Sequence, residues 1–439
     1  MTKVFSDYKE LLQGRSNYYD DFQRLYKKLE ASNAYYRGDV IPFLYHPFFF
    51  EQQEWEKLEG VVETLNQIIN KVINKYLNDE EFRKAFGFSK QLEELILVEP
   101  GYSCPLPMAR FDIFYYEPGR IKFCEFNTDG SSGMAKTNIL ERFFLQSRGV
   151  ERLQTDYKYK LSYPELINSW IDELLNNYYE FVGRRDPHIV ILDFEDSGMR
   201  GEFLEFKQTM QQRGLAVKIA DPRQLEYRQN ELYYDDFRID LIYRRAVTRD
   251  LMNYYDEIDD LLLAYKDHAV CVVGPFKSHI IHDKILFAIL RDEEKTDFLT
   301  DTERRFINHT IPYTVEVNPE DEKQLDYLLE NKDNLVLKPK DNYGSAGVMI
   351  GQDISSSKWK KKVDNVDNSY LAQEFLELPK KELAVFNQKG KLTFQPYKFI
   401  LGLFSYQQNL QGIYTRADQK NVIASSTGCV TLPNFIVKR

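Results

Sequence analysis

Cysteine is scarce in this sequence, with four among 439 residues. The four lie far apart, without a C-x-x-C pair or a neighbouring histidine pair, so neither a zinc site nor a disulfide framework is expected. Such usage is typical of a reducing compartment, and the first residues lack the apolar core of a secretory signal. We therefore expect a cytoplasmic protein. The cysteines are Cys104, Cys124, Cys271 and Cys429.

An excess of positive charge is also missing. Lys and Arg total 58 against 68 Asp and Glu, which gives a net charge of −10. This balance argues against a nucleic-acid partner, because such proteins present a basic surface. No apolar run approaches the roughly 18 residues of a membrane span, so no membrane partner is expected either. The composition is otherwise globular, and the length suggests about three domains at roughly 150 residues each.

Several familiar fingerprints of nucleotide binding and catalysis are absent too. There is no G-x-G-x-x-G after a predicted strand, no G-x-x-x-x-G-K-[ST], and no Ser-His or Cys-His arrangement among the six histidines. NAD binding and covalent nucleophilic catalysis are therefore not expected. His279 and His282 are three residues apart on a predicted helix, but no third ligand is apparent, so we expect a solvated or capping role for them.

Apolar periodicity divides the chain into regions. Spacings of three and four predict helices up to about residue 95, most clearly over 55–77, and the aromatic segment 43–50 is expected to be a buried loop. From His188 strands and helices alternate, which predicts a small parallel sheet with crossover helices. Strands are predicted at 188–194, 215–221, 239–245, 269–274, 334–340, 348–353 and 370–376, and helices at 138–147, 163–181, 201–213, 280–290 and 322–330.

The segment 110–129 predicts a hairpin with a turn at Pro118-Gly119. A symmetric turn fixes which side chains pair on one face of the hairpin. The pairs are Asp112–Glu125, Arg110–Asn127 and Met108–Asp129. Opposed carboxylates destabilise a sheet unless a cation lies between them, and two carboxylates with an amide oxygen suit Mg²⁺. The alternative is a solvated polar face on which an arginine neutralises the acids.

A second polar constellation follows the predicted strand that ends near Lys338. The next segment, DNYGSAG, contains Gly344 and Gly347, which let backbone N–H groups approach an anion closely, while Lys338 supplies a point charge. The alternative is an ordinary glycine-containing turn. Two weaker features support the first alternative: Asp283-Lys284 at the start of a predicted helix, and the polar pair Gln373-Glu374 on an apolar strand suited to flank a flat base.

Three motifs, taken in their order along the chain, resemble the nucleotide-binding half of ATP-grasp enzymes. They are DK…IPYT, VLKP with its glycine loop, and AQEFL. The D…E-x-N pattern is similar to their metal-binding half, which normally follows it. Here it comes first, as in circularly permuted ATP-grasp proteins of the glutathionylspermidine synthase type. Three further segments are similar to that family: RFD…CEFNTD, ILDF…IADP…IDLIYRR and GIYTR…N…SSTG. The resemblance covers roughly residues 100–439.

The resemblance implies roles for individual residues. Arg110 would stabilise charge on the transferring phosphoryl group, and Arg416 and Asn421 would close on phosphates or on the acyl intermediate. The implied Mg²⁺ ligands are Asp112, Glu125 and Asn127. The residues implied at ATP are Lys284 and Lys338 at the phosphates or the adenine side, Gly344, Ser345, Ala346 and Gly347 over the phosphates, and Gln373, Glu374 and Leu376 at the adenine and ribose.

The implied fold is a circularly permuted ATP-grasp, an α/β (α+β composite) architecture with an inserted parallel-sheet subdomain of the pre-ATP-grasp kind. The expected domains are a helical region 1–95, a metal-binding half 96–182, the subdomain 183–277, and a nucleotide-binding half with C-terminal strands 278–439. The Ser131-Ser132 segment after Asn127 departs from the family, and we expect it to shape the acceptor pocket. No cysteine indicates an amidase segment.

The resemblance implies an ATP- and Mg²⁺-dependent carboxylate–amine ligase that forms an amide through an acyl phosphate. Its partners would be a small-molecule or peptide acid, free or carrier-bound, and an amine. A small-molecule kinase and a non-catalytic nucleotide-binding scaffold remain as alternatives. Arg244 and Arg245, at the end of a predicted strand, would either bind an acceptor carboxylate or form surface ion pairs. The sequence does not identify the acid or the amine.

Overall fold

The computed structural model describes residues 3–14, 17–117, 119–197 and 199–438. Its first region is mostly helical, as predicted, and the apolar stripe of the long third helix is buried from Leu58 to Ile73. The segment 43–50 is buried, but its second half is a strand and not a loop. The elements are α1 (Lys3–Gln13), α2 (Tyr18–Glu30), β1 (Tyr35–Tyr36), β2 (Asp39–Val40), β3 (Phe48–Glu51), α3 (Gln52–Asn78), α4 (Glu80–Lys84) and α5 (Lys90–Ile96).

The second region contains the predicted hairpin and the helices behind it. Its elements are β4 (Met108–Glu117), β5 (Arg120–Asn127), α6 (Met134–Leu145), α7 (Arg148–Asp156), β6 (Lys160–Ser162) and α8 (Ile167–Val182). Asp112 pairs with Glu125 and Arg110 with Asn127, which confirms the predicted register. β5 ends before Asp129, so the third predicted pair was wrong. Pro118 lies outside the described residues.

The predicted register survives because two irregularities offset one another. The pairing shifts by one residue between Tyr115 and Glu117, and shifts back between Asp112 and Ile113. Each irregularity places an extra residue on one strand, which re-aims the side chains beside it. At the second irregularity Cys124 and Glu125 both line the same cavity, so the bulge turns consecutive residues towards the candidate site.

The third region forms the predicted parallel sheet, with strand order β13-β12-β7-β8. Sequence patterning missed a short antiparallel sheet, β11-β10-β9, between its second and third strands. The elements are β7 (His188–Leu192), α9 (Arg200–Gln212), β8 (Ala216–Ala220), β9 (Leu225–Arg228), β10 (Glu231–Tyr234), β11 (Phe237–Ile239), β12 (Leu241–Arg244), α10 (Thr248–Asn253), α11 (Asp259–Lys266) and β13 (Cys271–Val273).

The last region departs from prediction at two predicted elements, and its helices at Asp301–Thr310 and Ser356–Val363 were not predicted. The single helix expected over 280–290 is interrupted at Asp283, whose backbone is extended, and the strand expected over 348–353 contains only two residues. The elements are α12 (His279–His282), α13 (Ile285–Arg291), α14 (Asp301–Thr310), β14 (Thr314–Glu316), α15 (Glu322–Glu330), β15 (Leu335–Pro339), β16 (Met349–Ile350), α16 (Ser356–Val363), β17 (Tyr370–Glu374), β18 (Lys380–Phe386), β19 (Leu392–Tyr406), β20 (Asn409–Asp418), β21 (Val430–Leu432) and β22 (Asn434–Lys438).

Two sheets bring distant parts of the chain together, and another is built locally from residues 314–374. The largest has the order β21-β20-β19-β4-β5, with β18 on β19, so the early hairpin continues a sheet of late strands. A four-stranded sheet, β14-β17-β15-β16, contains Lys338, and a third sheet places the C-terminal β22 between β3 and β6. Within the described ranges, no helix combines the length and apolar character needed to cross a bilayer.

Candidate active site

Two cavities meet at the β4–β5 hairpin. The first, of about 820 Å³, lies between this hairpin and strands β15 and β17. Lys338 Nζ lies 3.4 Å from the backbone oxygen of Cys124, so the lysine-bearing strand contacts the acidic hairpin. Most of the residues predicted to form the site line this cavity: Asp112, Glu125, Lys284, Lys338, Ser345, Ala346, Gln373, Glu374, Leu376, Arg416 and Asn421.

The second cavity, of about 1170 Å³, adjoins the first. The lining residues common to both are Glu125, Ser345 and Arg416. We call this shared boundary the junction. The second cavity is also lined by Arg110, Asn127, Gly344, Ser131 and Ser132, the last two from the segment that was expected to shape the acceptor pocket. Gly347 lines neither cavity.

The predicted metal ligands lie against one another. Asn127 Nδ2 donates to Asp112 Oδ2 at 3.2 Å and to Glu125 Oε1 at 3.3 Å. The described residues contain no cluster of three or more His, Cys, Asp and Glu side chains suited to a metal, so a cation here would depend on two carboxylates, the amide oxygen and a phosphate. That all-oxygen donor set fits Mg²⁺, which commonly uses one or two carboxylates together with phosphate oxygens.

Glu125 remains charged although it is partly buried. Burial would raise the pKa of its carboxyl group, but nearby cations outweigh burial and hold that pKa at about 2. These cations are Lys284, Arg416, Arg110 and Lys338. Glu125 is therefore ionised at neutral pH and can bind a cation without first losing a proton.

Two arginines enclose Asp112, which is almost fully buried. Arg110 Nε lies 2.8 Å from Asp112 Oδ1, and Arg416 Nη2 forms an ion pair with Asp112 Oδ2. Burial would lower the pKa of Arg416, but the attraction of Asp112 raises it above the usual value for arginine. Arg416 Nε has no hydrogen-bond partner within the described part of the chain. A buried donor without a partner is uncommon, and this one belongs to a residue that borders the junction.

Lys338 is oriented by a chain of hydrogen bonds across the four-stranded sheet. Its Nζ donates to Gln373 Oε1 at 2.7 Å, and Gln373 Nε2 donates to Thr314 Oγ1 at 2.9 Å. Gln373 is buried, so it fixes the lysine as well as lining the cavity. The neighbouring Glu374 accepts from the backbone N–H of Tyr313 at 2.9 Å.

The glycine loop 341–348 is attached on both sides. Lys284 Nζ, at the break between α12 and α13, donates to the backbone oxygen of Asn342 at 2.7 Å. Ser426 Oγ donates to the backbone oxygen of Gly344 at 2.9 Å. Gly347 has a φ of 76°, and a Cβ there would lie 2.7 Å from Pro339 Cγ, so this turn needs glycine.

Asn421, in the lining of the first cavity, is hydrogen-bonded to two side chains outside that cavity. Its Nδ2 donates to Asp353 Oδ1 at 2.7 Å, and its Oδ1 accepts from Lys398 Nζ at 2.5 Å. Both polar atoms of this amide thus have protein partners, and a role on phosphates would require it to exchange one of them.

Of the two alternatives for Arg244 and Arg245, the surface ion pair was wrong. Arg244 lies 2.6 Å from Asp129 and Arg245 lies 2.9 Å from Glu202, and all four side chains are buried, so neither pair is on the surface. Arg245 also lines the second cavity.

The two histidines are likewise buried, not solvated. His279 lies 3.8 Å from Asp129 and 3.9 Å from Asp341, and His282 lines the second cavity. The sequence pattern gave no sign of this burial. Both histidines lie in α12, a helix of four residues that is too short to show an amphipathic pattern.

Sequence reasoning missed part of the second cavity. Tyr36 and Arg37 belong to a short hairpin with no motif, and Lys136 lies in the first turn of α6, outside every predicted element. Asp193 had a signal that could have been used, because it directly follows β7, and ligands of parallel sheets bind beyond the carboxyl ends of strands.

Comparison with known proteins adds three findings. The sequence model of the circularly permuted ATP-grasp type 2 family matches residues 47–417. A Frankia casuarinae protein with the provisional name glutamate–cysteine ligase 2-2 is 26% identical over 176 residues, 38% of this chain, which span 19% of that relative's length. A solved structure of a glutathione synthetase-like effector from Globodera pallida, in its apo form, has a TM-score of 0.63 at 12% identity and covers 95% of this chain and 96% of its own.

Proposed function

Because the chain belongs to the circularly permuted ATP-grasp type 2 family, we propose that it is an ATP- and Mg²⁺-dependent ligase that joins a carboxylic acid to an amine. The family match and the fold similarity confirm the resemblance inferred from the motifs and the predicted α/β ATP-grasp architecture. The observation that supports the proposal best is the junction, where Glu125, Ser345 and Arg416 border two cavities, one for each side of a transfer reaction.

In this proposal the first cavity binds ATP. Lys338 and Lys284 contact the phosphates, the loop 341–348 covers them, and Gln373, Glu374 and Leu376 line the base and ribose side. The implied metal ligands are Asp112, Glu125 and Asn127. Bound Mg²⁺ would neutralise charge on the phosphate oxygens. The cavity is lined by apolar as well as charged side chains, which suits a ligand with a flat base at one end and phosphates at the other.

The second cavity would hold the acid and the amine. A carboxylate oxygen attacks the γ-phosphorus, the bond to the β–γ bridging oxygen breaks, and ADP leaves. The amine nitrogen then attacks the acyl carbon of the acyl phosphate, phosphate leaves, and the nitrogen loses a proton. Arg110 and Arg416 would stabilise the negative charge that develops on the transferring phosphoryl group, and their positions in the lining of the second cavity support this role.

The test is a search for acid-dependent ATP cleavage. The protein is incubated with ATP, Mg²⁺ and a panel of carboxylic acids, with hydroxylamine as the trapping amine, and ADP and hydroxamate are measured. We expect at least one acid to yield both in equal amounts. A product in which phosphate stays on the acid in the presence of amines would indicate a kinase. Absence of nucleotide binding at millimolar ATP would contradict the proposal.

A further inference from the structure

Lys136 is a buried cation in the second cavity that lacks a counter-ion. It lies in the first turn of α6, is 7% exposed, and lines the cavity. Its Nζ donates to Ser425 Oγ at 2.9 Å, a neutral partner. Burying a charged group is costly unless an opposite charge is close to it. Lys136 therefore differs from an ordinary surface lysine and needs an explanation.

The other buried cations of this cavity are already neutralised. Arg110 and Arg416 both pair with Asp112, and Arg245 pairs with Glu202. Of the buried Lys and Arg side chains that line the cavity within the described ranges, Lys136 alone has no carboxylate at ion-pair distance. Lys136 is therefore the buried cation of this cavity that has no carboxylate partner and can pair with a bound anion.

Aromatic rings from two distant parts of the chain lie beside Lys136. Its Nζ is 4.8 Å from the centroid of the Tyr414 ring and 5.8 Å from that of Tyr36. Tyr36 and the exposed Arg37 belong to the β1–β2 hairpin and line the same cavity. Ring contacts offset part of the cost of burying the cation, and the N–H donors of Lys136 that Ser425 does not use can bind an anion.

The position of Lys136 argues against ATP as the source of that anion, because the proposed function assigns ATP to the first cavity. Lys136 lines the second cavity and not the first, and it is not part of the junction. We infer that Lys136, with Tyr36 and Arg37, forms a subsite for a substrate carboxylate that does not react, while another group of the substrates reacts at the junction. The inference rests on the proposed function for the role of the junction, and the carboxylate belongs either to the acid or to an amino-acid acceptor.

A binding experiment tests the subsite without relying on turnover. The melting temperature of the full chain is measured with succinate, glutarate, adipate and L-glutamate, and with the monoamide of each. We expect at least one diacid to raise the melting temperature of the wild type more than its monoamide does. The diacid can place one carboxylate on Lys136 and the other at the junction beside Arg416, whereas the monoamide has a carboxylate for only one of the two. This difference should disappear in Lys136→Met, which retains much of the packing, and persist in Lys136→Arg. Equal shifts for diacids and monoamides, or a difference retained in Lys136→Met, would overturn the inference.

Kinetics then identify the source of the carboxylate. If it belongs to the acid, Lys136→Met raises KM for the acid by about tenfold or more with hydroxylamine as the amine, and changes kcat little. If it belongs to the acceptor, the hydroxylamine reaction is unchanged and KM rises for amino-acid amines. An unchanged KM in both reactions contradicts the inference. Lys136-dependent diacid binding without ATP cleavage by any acid would reject the ligase proposal and retain the subsite.

Discussion

At the residue scale, Glu125 is the acidic side chain shared by the two cavities. It lines both of them, receives a hydrogen bond from Asn127, and is kept ionised by the surrounding cations. We expect Glu125→Gln to lower kcat by about a hundredfold or more, because the variant loses a negative ligand while its size is unchanged. Steady-state ADP release measures this loss.

The matched control is Glu117→Gln, an exposed position at the other end of the same hairpin. It should leave both activity and the circular dichroism spectrum unchanged. If Glu125→Gln retained wild-type turnover, its assignment as a metal ligand would be wrong.

Asp193 gives a pH-dependent test of the second cavity. Burial raises the pKa of its carboxyl group to about 7, against the opposing attraction of Arg245. In the unfolded chain this pKa is near 4, so between about pH 4 and pH 7 the folded state holds a proton that the unfolded state has lost. Stability contributed by Asp193 is therefore present at low pH and lost as the pH rises through 7.

Asp193→Asn does not titrate, so it should avoid this loss. We expect the free energy of unfolding of the variant, relative to wild type, to increase between about pH 5 and pH 8, as measured by urea denaturation at each pH. A difference between the two proteins that is constant across this range would show that Asp193 is not a buried acid.

How far the sequence could predict the site differs from residue to residue. Glu125 and Asp112 could be placed together because strand geometry dictates which side chains share a face. Lys136 could not, because its burial depends on Tyr36 and Tyr414, which no local pattern connects to it.

At the scale of elements, strand β19 packs closely beside the hairpin because it has a glycine, Gly402, at the point of contact. Gly402 pairs with Asp112, and a Cβ there would lie 2.7 Å from Arg110 Cδ and 2.8 Å from Asp112 Oδ1. We expect Gly402→Ala to displace this ion pair and to lower kcat by on the order of tenfold to a hundredfold. Steady-state kinetics measure the effect.

Gly60→Ala is the control, since a Cβ at Gly60 on α3 contacts nothing within 4 Å. This variant should keep full activity. Wild-type kcat in Gly402→Ala would mean that the position of the Arg110–Asp112 pair does not matter for the reaction.

The loop 341–348 offers a second test at this scale. Tyr343 is half exposed at its tip and bonds to Asp250 at 3.0 Å. If the loop covers bound nucleotide, ATP with Mg²⁺ should slow chymotryptic cleavage after Tyr343, because cleavage requires local opening. Tyr327, equally exposed on α15 and outside both cavities, should be cleaved at the same rate with and without ATP. Equal rates at Tyr343 would argue that the loop does not contact the nucleotide.

Elements with strong periodicity were predictable, and those shaped by tertiary contacts were not. α3 and the parallel strands follow their apolar patterns closely. The break at Asp283 could not be foreseen, because it is associated with contacts from Lys284 to the distant loop residues Lys340 and Asn342. The short β9–β11 sheet is built from half-polar strands whose alternation is weak.

At the scale of the whole molecule, the order of strands in space differs from their order in the chain. The early hairpin β4–β5 lies beside the late strands β19 and β20, so Asp112 meets Arg416 although they are 304 residues apart. The arrangement of such a site in space is the same whichever half comes first in the sequence. The motifs could therefore predict that the halves meet, whereas the domain boundaries at 95, 182 and 277 remain a proposal.

The central claim is that nucleotide and Mg²⁺ share the first cavity, between the acidic hairpin and the lysine-bearing strand. Titration calorimetry with a non-hydrolysable ATP analogue tests it directly, with and without Mg²⁺. We predict one site whose affinity increases with Mg²⁺ in wild type and in the control Lys340→Met. Lys338→Met should bind about tenfold more weakly or worse, and Glu125→Gln should lose the increase caused by Mg²⁺. Binding that is independent of Mg²⁺ and unchanged in both variants would contradict the account.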